Sequence, residues 1–173
     1  MSMNYFIYSD IEPEDTYDEE IRDLSHFPYG LSFFFEQVGG YDECAEVSQV
    51  CELLNIDLDL FQNVDFPENP HSSKTWQTIE VVVNKLDEFS QAIKKNPKYF
   101  EKVLHGGERH PPDYGYLSKN VISQDIQTLK NNLQLLKEKG SKKLGFFTCR
   151  LTPAPNGGFV PSGRHISEGH LCS

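Results

Sequence analysis

Basic side chains are almost missing from the first 70 residues of this chain. The segment has 17 Asp and Glu residues and one basic residue, Arg22, so its formal charge is −16. Residues 71–173 have 15 Lys and Arg against 9 acidic residues, a formal charge of +6. With a net charge of −10, the chain is not expected to bind DNA or RNA directly, because binding phosphates requires a basic surface.

Long apolar runs and a basic leader are also missing. No apolar stretch approaches the roughly 20 residues that span a bilayer, and the N-terminus turns acidic without the basic region of a secretory signal peptide. We therefore expect a protein that works in the cytoplasm. The four cysteines, none in a C-x-x-C pair, are then expected to be free thiols, with Cys44 and Cys51 packed in the core.

Common catalytic motifs are absent as well. The chain has no G-x-x-x-x-G-K-[ST], G-x-G-x-x-G, G-x-S-x-G or H-E-x-x-H, so we expect no cofactor and none of the commonest nucleotide-binding or hydrolytic sites. One loop, residues 105–116, still gathers groups suited to acid–base chemistry, which keeps a hydrolase or a binding loop as an alternative, beside a regulatory protein-binding module. These groups are His105, Glu108, Arg109, His110, Asp113, Tyr114 and Tyr116.

A second group near the C-terminus has side chains of the kind that zinc accepts. His165, His170 and Cys172 follow one another closely in the tail, and Cys149 would be a fourth ligand. Their spacing fits no standard zinc site. We therefore predict no metal site.

Hydrophobic periodicity predicts an α+β fold, a helix-dominated single domain of residues 1–173 with a small β-sheet. The predicted strands are Asn4–Tyr8, Ile56–Phe61 and Leu144–Leu151, and the predicted helices cover residues 42–55, 75–95 and 123–139. Leu31–Val38 contains three consecutive phenylalanines and fits either a buried strand or a helix. Residues 152–173, rich in Gly and Pro, are predicted to form an irregular C-terminal tail.

The two long predicted helices each have one apolar stripe. In both, large aliphatic or aromatic residues recur three or four positions apart, which places them on one face of a helix. The stripes are Ile79, Val82, Leu86, Phe89 and Ile93, and Ile122, Ile126, Leu129, Leu133 and Leu136. We expect these residues to form the core.

The acidic segment allows three interpretations. Its charge can be neutralised by the basic second part of the chain, can form an ordinary solvated surface, or can form a docking face for a basic partner. Asp57 and Asp59 are expected on one side of their predicted strand. The candidate partner-binding residues are Asp10, Glu12, Glu14, Asp15, Asp18, Glu19, Glu20, Asp23, Asp57 and Asp59.

Two segments resemble a known class of proteins. The acidic run DIEPEDTYDEE (residues 10–20) and the helix KTWQTIEVVVNKLDEFSQAIKKNP (residues 74–97) are similar in style to bacterial immunity proteins. Those proteins belong to contact-dependent inhibition and other polymorphic toxin systems. The resemblance implies a protein without catalytic activity that neutralises a basic toxin domain, an RNase or DNase, by offering carboxylates in place of phosphates.

Overall fold

A computed structural model describes residues 3–11, 19–36, 43, 45–62, 76–105, 108–109, 115–153 and 159–161. The helices are α1 (Glu19–Leu24), α2 (Tyr29–Phe35), α3 (Glu46–Leu54), α4 (Asp59–Gln62), α5 (Ile79–Lys95), α6 (Gly115–Ser118) and α7 (Val121–Glu138). The strands are β1 (Met3–Ser9), β2 (Gln77–Thr78), β3 (Leu104–His105), β4 (Glu108–Arg109), β5 (Lys143–Pro153) and β6 (Phe159–Pro161). Helix dominates over a small antiparallel sheet, which confirms the predicted α+β class.

The sheet is built around β5, which lies between β1 and β2. All its pairings are antiparallel, with Ile7 opposite Phe146 in β1–β5 and Gln77 opposite Leu144 in β2–β5. The other edge of β1 makes two contacts with the following segment: the Ile7 N–H donates to the Ser25 carbonyl at 2.8 Å, and the Tyr5 N–H donates to the Ser32 hydroxyl at 3.3 Å.

Both predicted stripes lie in the core. All ten stripe residues of α5 and α7 are buried, and the two helices pack against each other. The Thr78 hydroxyl accepts the Val81 N–H at 3.4 Å and caps α5. After α7, Gly140 adopts a φ of 103°, a left-handed conformation that suits the residue ending a helix.

The run of three phenylalanines, which fits a strand or a helix by sequence, forms a helix in the structure. In α2, Leu31, Phe34 and Phe35 are buried, the spacing of one helical face directed at β1 and α7. The Phe35 ring stacks on Phe61 with centroids 4.8 Å apart, and Phe34 stacks on Phe89 at 6.1 Å. α2 therefore joins the sheet to the helical layer through an aromatic core.

The predicted strand Ile56–Phe61 is wrong. The chain turns after α3 through Asn55, whose φ is 50°, and then forms the short helix α4. Ile56 and Leu58 are buried while Asp57 and Asp59 are exposed. The alternation of apolar and acidic residues thus reports burial on one side of an irregular segment, which resembles the pattern of a half-buried strand.

The C-terminal tail also departs from its prediction within the described residues. β5 continues to Pro153, and β6 pairs with its end so that Thr152 lies opposite Val160. Residues 152–153 and 159–161 therefore belong to strands, and the rest of the predicted tail lies outside the described part of the chain.

Candidate functional site

The structure divides the ten candidate carboxylates into three groups. Four lie outside the described residues: Glu12, Glu14, Asp15 and Asp18. Two begin α1, but their side chains lie outside the described set: Glu19 and Glu20. The remaining four have described side chains: Asp10, Asp23, Asp57 and Asp59.

Asp10 stabilises the fold. Its Oδ1 accepts hydrogen bonds from the backbone N–H of Lys142 at 2.9 Å and of Lys143 at 3.1 Å, and from the Ser141 hydroxyl at 2.8 Å. Burial alone would raise the pKa of the Asp10 carboxyl, but these hydrogen bonds outweigh burial and hold the pKa below its ordinary value. Asp10 ties the end of β1 to the turn between α7 and β5, so its carboxylate has a structural role in the fold, and its side chain is also exposed.

Asp57 and Asp59 lie side by side where α3 gives way to α4. The Asp57 Oδ1 accepts the Asp59 N–H at 2.8 Å, a turn that opens α4. Both side chains are exposed. Burial raises the pKa of the half-buried Cys51 thiol to about 11, and the charges of Asp57 and Asp59 act in the same direction. Cys51 is therefore a packing residue, as predicted, and its thiol stays protonated.

Glu52, on α3, is a third exposed carboxylate in this part of the chain. It is exposed in the last turn of the helix, which has no basic residue. A carboxylate there is unfavourable, because the helix dipole places negative partial charge at the C-terminal end. We name Glu52, Asp57 and Asp59 the acidic patch. Among the described residues, no cation forms an ion pair with any of the three.

Lysines of the second part of the chain pair with carboxylates of that same part. Lys130 of α7 contacts Asp87 of α5, and Lys137 contacts Glu80 at 2.7 Å. These ion pairs link the two long helices. None of these lysines pairs with a carboxylate of the acidic patch. The basic second part of the chain therefore does not neutralise Glu52, Asp57 or Asp59 through these ion pairs.

Gln49, on α3, forms hydrogen bonds with Leu104, just before the 105–116 loop. The Gln49 Nε2 donates to the Leu104 carbonyl at 2.9 Å, and the Leu104 N–H donates to Gln49 Oε1 at 2.7 Å. One side-chain amide thus pairs with the backbone of β3 as a neighbouring strand would. Of the loop side chains that suggested acid–base chemistry, only Tyr116 is described, and the others lie outside the described residues.

Tyr116 anchors the other end of that loop. Its hydroxyl donates to Asp125 Oδ2 at 3.0 Å, and the Leu31 N–H in α2 donates to the same carboxylate. Burial raises the pKa of the Asp125 carboxyl, and the two hydrogen bonds only partly offset this. The Tyr116 ring lies directly over Gly30. The loop is therefore fixed at both ends, to α3 and to the start of α2.

Two aromatic side chains on α2 were missed by sequence reasoning. Tyr29 is 67% exposed and Phe33 is 41% exposed, and their rings lie nearly parallel, 6.3 Å apart at 14°. They are four residues apart and share the face of α2 that points away from the core. If residues 31–38 had been predicted as a helix, the pair could have been found. A helix that buries Leu31, Phe34 and Phe35 on one face leaves Phe33 on the exposed face.

Two other kinds of site are absent from the described part of the chain. No group of three or more His, Cys, Asp or Glu side chains there is arranged to hold a metal ion. His165, His170 and Cys172, and the side chain of Cys149, lie outside that part. No helix in the described ranges has the length and apolar character needed to cross a membrane.

No protein-family model, curated protein or solved structure matches this chain.

Proposed function

We propose that this chain is a cytoplasmic immunity protein that binds a basic toxin domain, an RNase or DNase, and covers its phosphate-binding cleft. The observation that carries the proposal is the acidic patch. Its three carboxylates are exposed beside the C-terminal end of α3 with no cation paired to them among the described residues. The protein itself has no catalytic activity in this proposal.

One carboxylate of the patch is placed unfavourably in the isolated protein. Glu52 lies at the C-terminal end of α3, where the helix dipole is negative. A basic partner would offset this cost on binding. The cleft of a nuclease is such a partner, because it must be basic to bind phosphate.

Close charge pairs of this kind affect both rate and affinity. A charged face can raise association rates by about 10- to 1,000-fold at low salt, and salt screens the effect. In the complex of the nuclease barnase with its inhibitor barstar, close charge pairs couple by roughly 1.5–7 kcal/mol, so such pairs can add net affinity. Fast, salt-dependent association is thus the expected signature of this interface.

The first test identifies the partner. The tagged full chain is used to capture proteins from the native host, with mass spectrometry of what is retained. We expect a basic toxin domain held at about nanomolar affinity. Recovery of only acidic or neutral partners would contradict the proposal.

The second test uses charge variants with that partner. Glu52→Gln, Asp57→Asn and Asp59→Asn are combined, and association rates are measured over a range of salt concentrations. We expect the rate at low salt to fall about 10-fold and its salt dependence to become weaker. A matched control makes the same change in charge on exposed acids of the second part of the chain: Glu88→Gln, Glu101→Gln and Glu138→Gln.

The control separates a local interface from the total charge. Equal effects of the two triple variants would show that only net charge matters, and unchanged rates with unchanged protection of toxin-expressing cells would exclude the acidic patch. A further variant neutralises Asp15, Asp18, Glu19 and Glu20. It tests whether the acidic run at the N-terminus shares the interface.

A further inference from the structure

The C-terminal end of α3 is the acidic end of one side of that helix. Glu52 lies in the last turn, and the charges of Asp57 and Asp59 act on the neighbouring Cys51 thiol. The acidic patch is therefore gathered around this end. The segment that follows α5, which includes a 3₁₀ helix at Tyr99–Lys102, packs against α3 as well.

That segment follows α3 from its start towards its end. Burial raises the pKa of the Tyr99 hydroxyl, and the negative charge of Glu46, the first residue of α3, adds to the shift. Tyr99 therefore lies beside the start of α3. Five residues later, Leu104 is held by Gln49 near the middle of the helix.

The segment beside the start of α3 is basic. Tight turns join α5 to the 3₁₀ helix, since the Tyr99 N–H donates to the Asn96 carbonyl at 3.0 Å and the Glu101 N–H to the Lys98 carbonyl at 3.1 Å. Residues 94–102 have a formal charge of +3, because one acid, Glu101, accompanies four exposed lysines. We name these lysines the basic patch: Lys94, Lys95, Lys98 and Lys102. Among the described residues, no carboxylate forms an ion pair with any of them.

Two exposed leucines lie between the two charged patches. Leu53 is 36% exposed and lies one helical turn after Gln49, on the same face of α3. Leu104, whose backbone Gln49 binds, is 39% exposed. This side of the molecule is thus basic beside the start of α3, apolar in the middle and acidic at the end. An apolar centre with a charged rim is the usual composition of a protein interface.

We propose that two copies of this chain associate through this face, with their α3 helices antiparallel about a two-fold axis. The basic patch of each copy then meets the acidic patch of the other, and the leucines of both copies meet at the centre. A two-fold interface requires a self-complementary surface, which opposite charges at the two ends of one face provide. The nine residues of α3 span about 13 Å, so both charge contacts fit within one interface.

The dimer is expected to be weak and sensitive to salt. Its apolar centre has two leucines per copy, and the net charge of −10 on each copy opposes association. At about 0.1 M salt the Debye length is about 10 Å, which screens distant charges more than close pairs across the interface. We expect a dissociation constant of about 10–100 µM. The dimer goes beyond the proposed function and does not rest on it, but it would compete with a toxin for the acidic patch.

Charge reversal tests the dimer by sedimentation equilibrium of the full chain alone. One variant reverses the acidic patch with Glu52→Lys and Asp59→Lys, and another reverses the basic patch with Lys98→Glu and Lys102→Glu. Each should bind itself at least about 10-fold more weakly than the wild type, because like charges then meet across the interface. An equimolar mixture of the two should form a heterodimer, because both contacts again join opposite charges. All four side chains are exposed, so each variant should keep the circular dichroism spectrum of the wild type.

Two matched controls separate this face from net charge and from general apolar exposure. Lys142→Glu with Lys143→Glu makes the same change in charge on exposed lysines elsewhere, and should neither disrupt the wild-type dimer nor replace the basic-patch variant in the mixture. Leu53→Ala should raise the dissociation constant about 5- to 30-fold, since the lost contact occurs twice in a two-fold dimer. Leu135→Ala, at a leucine of α7 that is 43% exposed, should leave it unchanged.

Four results would overturn the dimer. They are a wild-type chain that stays monomeric at every concentration measured, reversed variants that do not associate when mixed, a Lys142 and Lys143 variant that pairs equally well with the acidic-patch variant, and equal effects of Leu53→Ala and Leu135→Ala. The proposed function fails separately. A monomeric wild type whose toxin binding depends on the acidic patch would remove the dimer and keep the immunity function.

Discussion

Replacing Gly30 with alanine should destabilise the protein, although alanine is the better helix former. A Cβ at this position would lie 2.3 Å from Tyr116 Cε2 and 2.8 Å from Asp125 Oδ2. Ordinary van der Waals contact needs about 3.5 Å, so the Tyr116 ring must retreat by about 1 Å. That retreat breaks the hydrogen bond of 3.0 Å between the Tyr116 hydroxyl and Asp125.

The magnitude follows from three opposing contributions to the free energy of unfolding. Overpacking costs about 1–3 kcal/mol, and losing a hydrogen bond to a charged group costs about 1.5 kcal/mol more. Helix propensity returns up to about 1 kcal/mol. We expect Gly30→Ala to lower the free energy of unfolding by about 1.5–4.5 kcal/mol and the melting temperature by roughly 3–18 °C.

A double-mutant cycle tests the cause by urea denaturation. Tyr116→Ala removes the closest atom, so in that background Gly30→Ala should cost less than about 1 kcal/mol, with only the Asp125 contact still close. The reasoning is refuted if Gly30→Ala stabilises the wild-type chain. It is equally refuted if the cost is the same with and without the Tyr116 ring.

Three other substitutions test separate parts of the fold. Asp10→Ala should lower the free energy of unfolding by about 1–2 kcal/mol at pH 7. Because the pKa of Asp10 is lower in the folded than in the unfolded state, this difference is complete above about pH 4 and disappears as the pH falls through the folded pKa. Urea titrations at several pH values measure it. Gln49→Ala should cost about 1 kcal/mol and speed amide exchange at Leu104, whose N–H loses its acceptor. Leu129→Ala, at a fully buried site, should cost about 2–5 kcal/mol in the same denaturation assay, against less than about 0.5 kcal/mol for the exposed Leu135→Ala.

Helix α3 and the residues after it show which structural features local sequence patterns predict and which they miss. The helix was predicted over residues 42–55 and is observed over Glu46–Leu54, with Ala45 at the N-cap. Asp42 and Cys44, which fall in the predicted range, lie outside the described residues. The exposure of Asp57 and Asp59 was foreseen from alternation, but the turn through Asn55 was not, because a single left-handed residue leaves no periodic signal.

The candidate site was harder to predict than the core. Composition indicated an acidic surface, yet it could not show that Asp10 accepts three hydrogen bonds from the turn between α7 and β5. The Asp10 contacts join residues more than 130 positions apart in the chain. Nothing near Asp10 in the sequence indicates them, because two of the three donors are backbone N–H groups, which almost every residue has, and the third is a distant serine hydroxyl.

The sequence by itself determined which faces are buried. Apolar spacing is a property of each segment, so it identified the stripes of α5 and α7, and the charge count identified the acidic segment. Only the tertiary structure decided how those segments are used. It turned the phenylalanine run into a helix that exposes Tyr29 and Phe33, and it joined Asp125 and Tyr116 over Gly30, because these outcomes depend on contacts between residues distant in the chain.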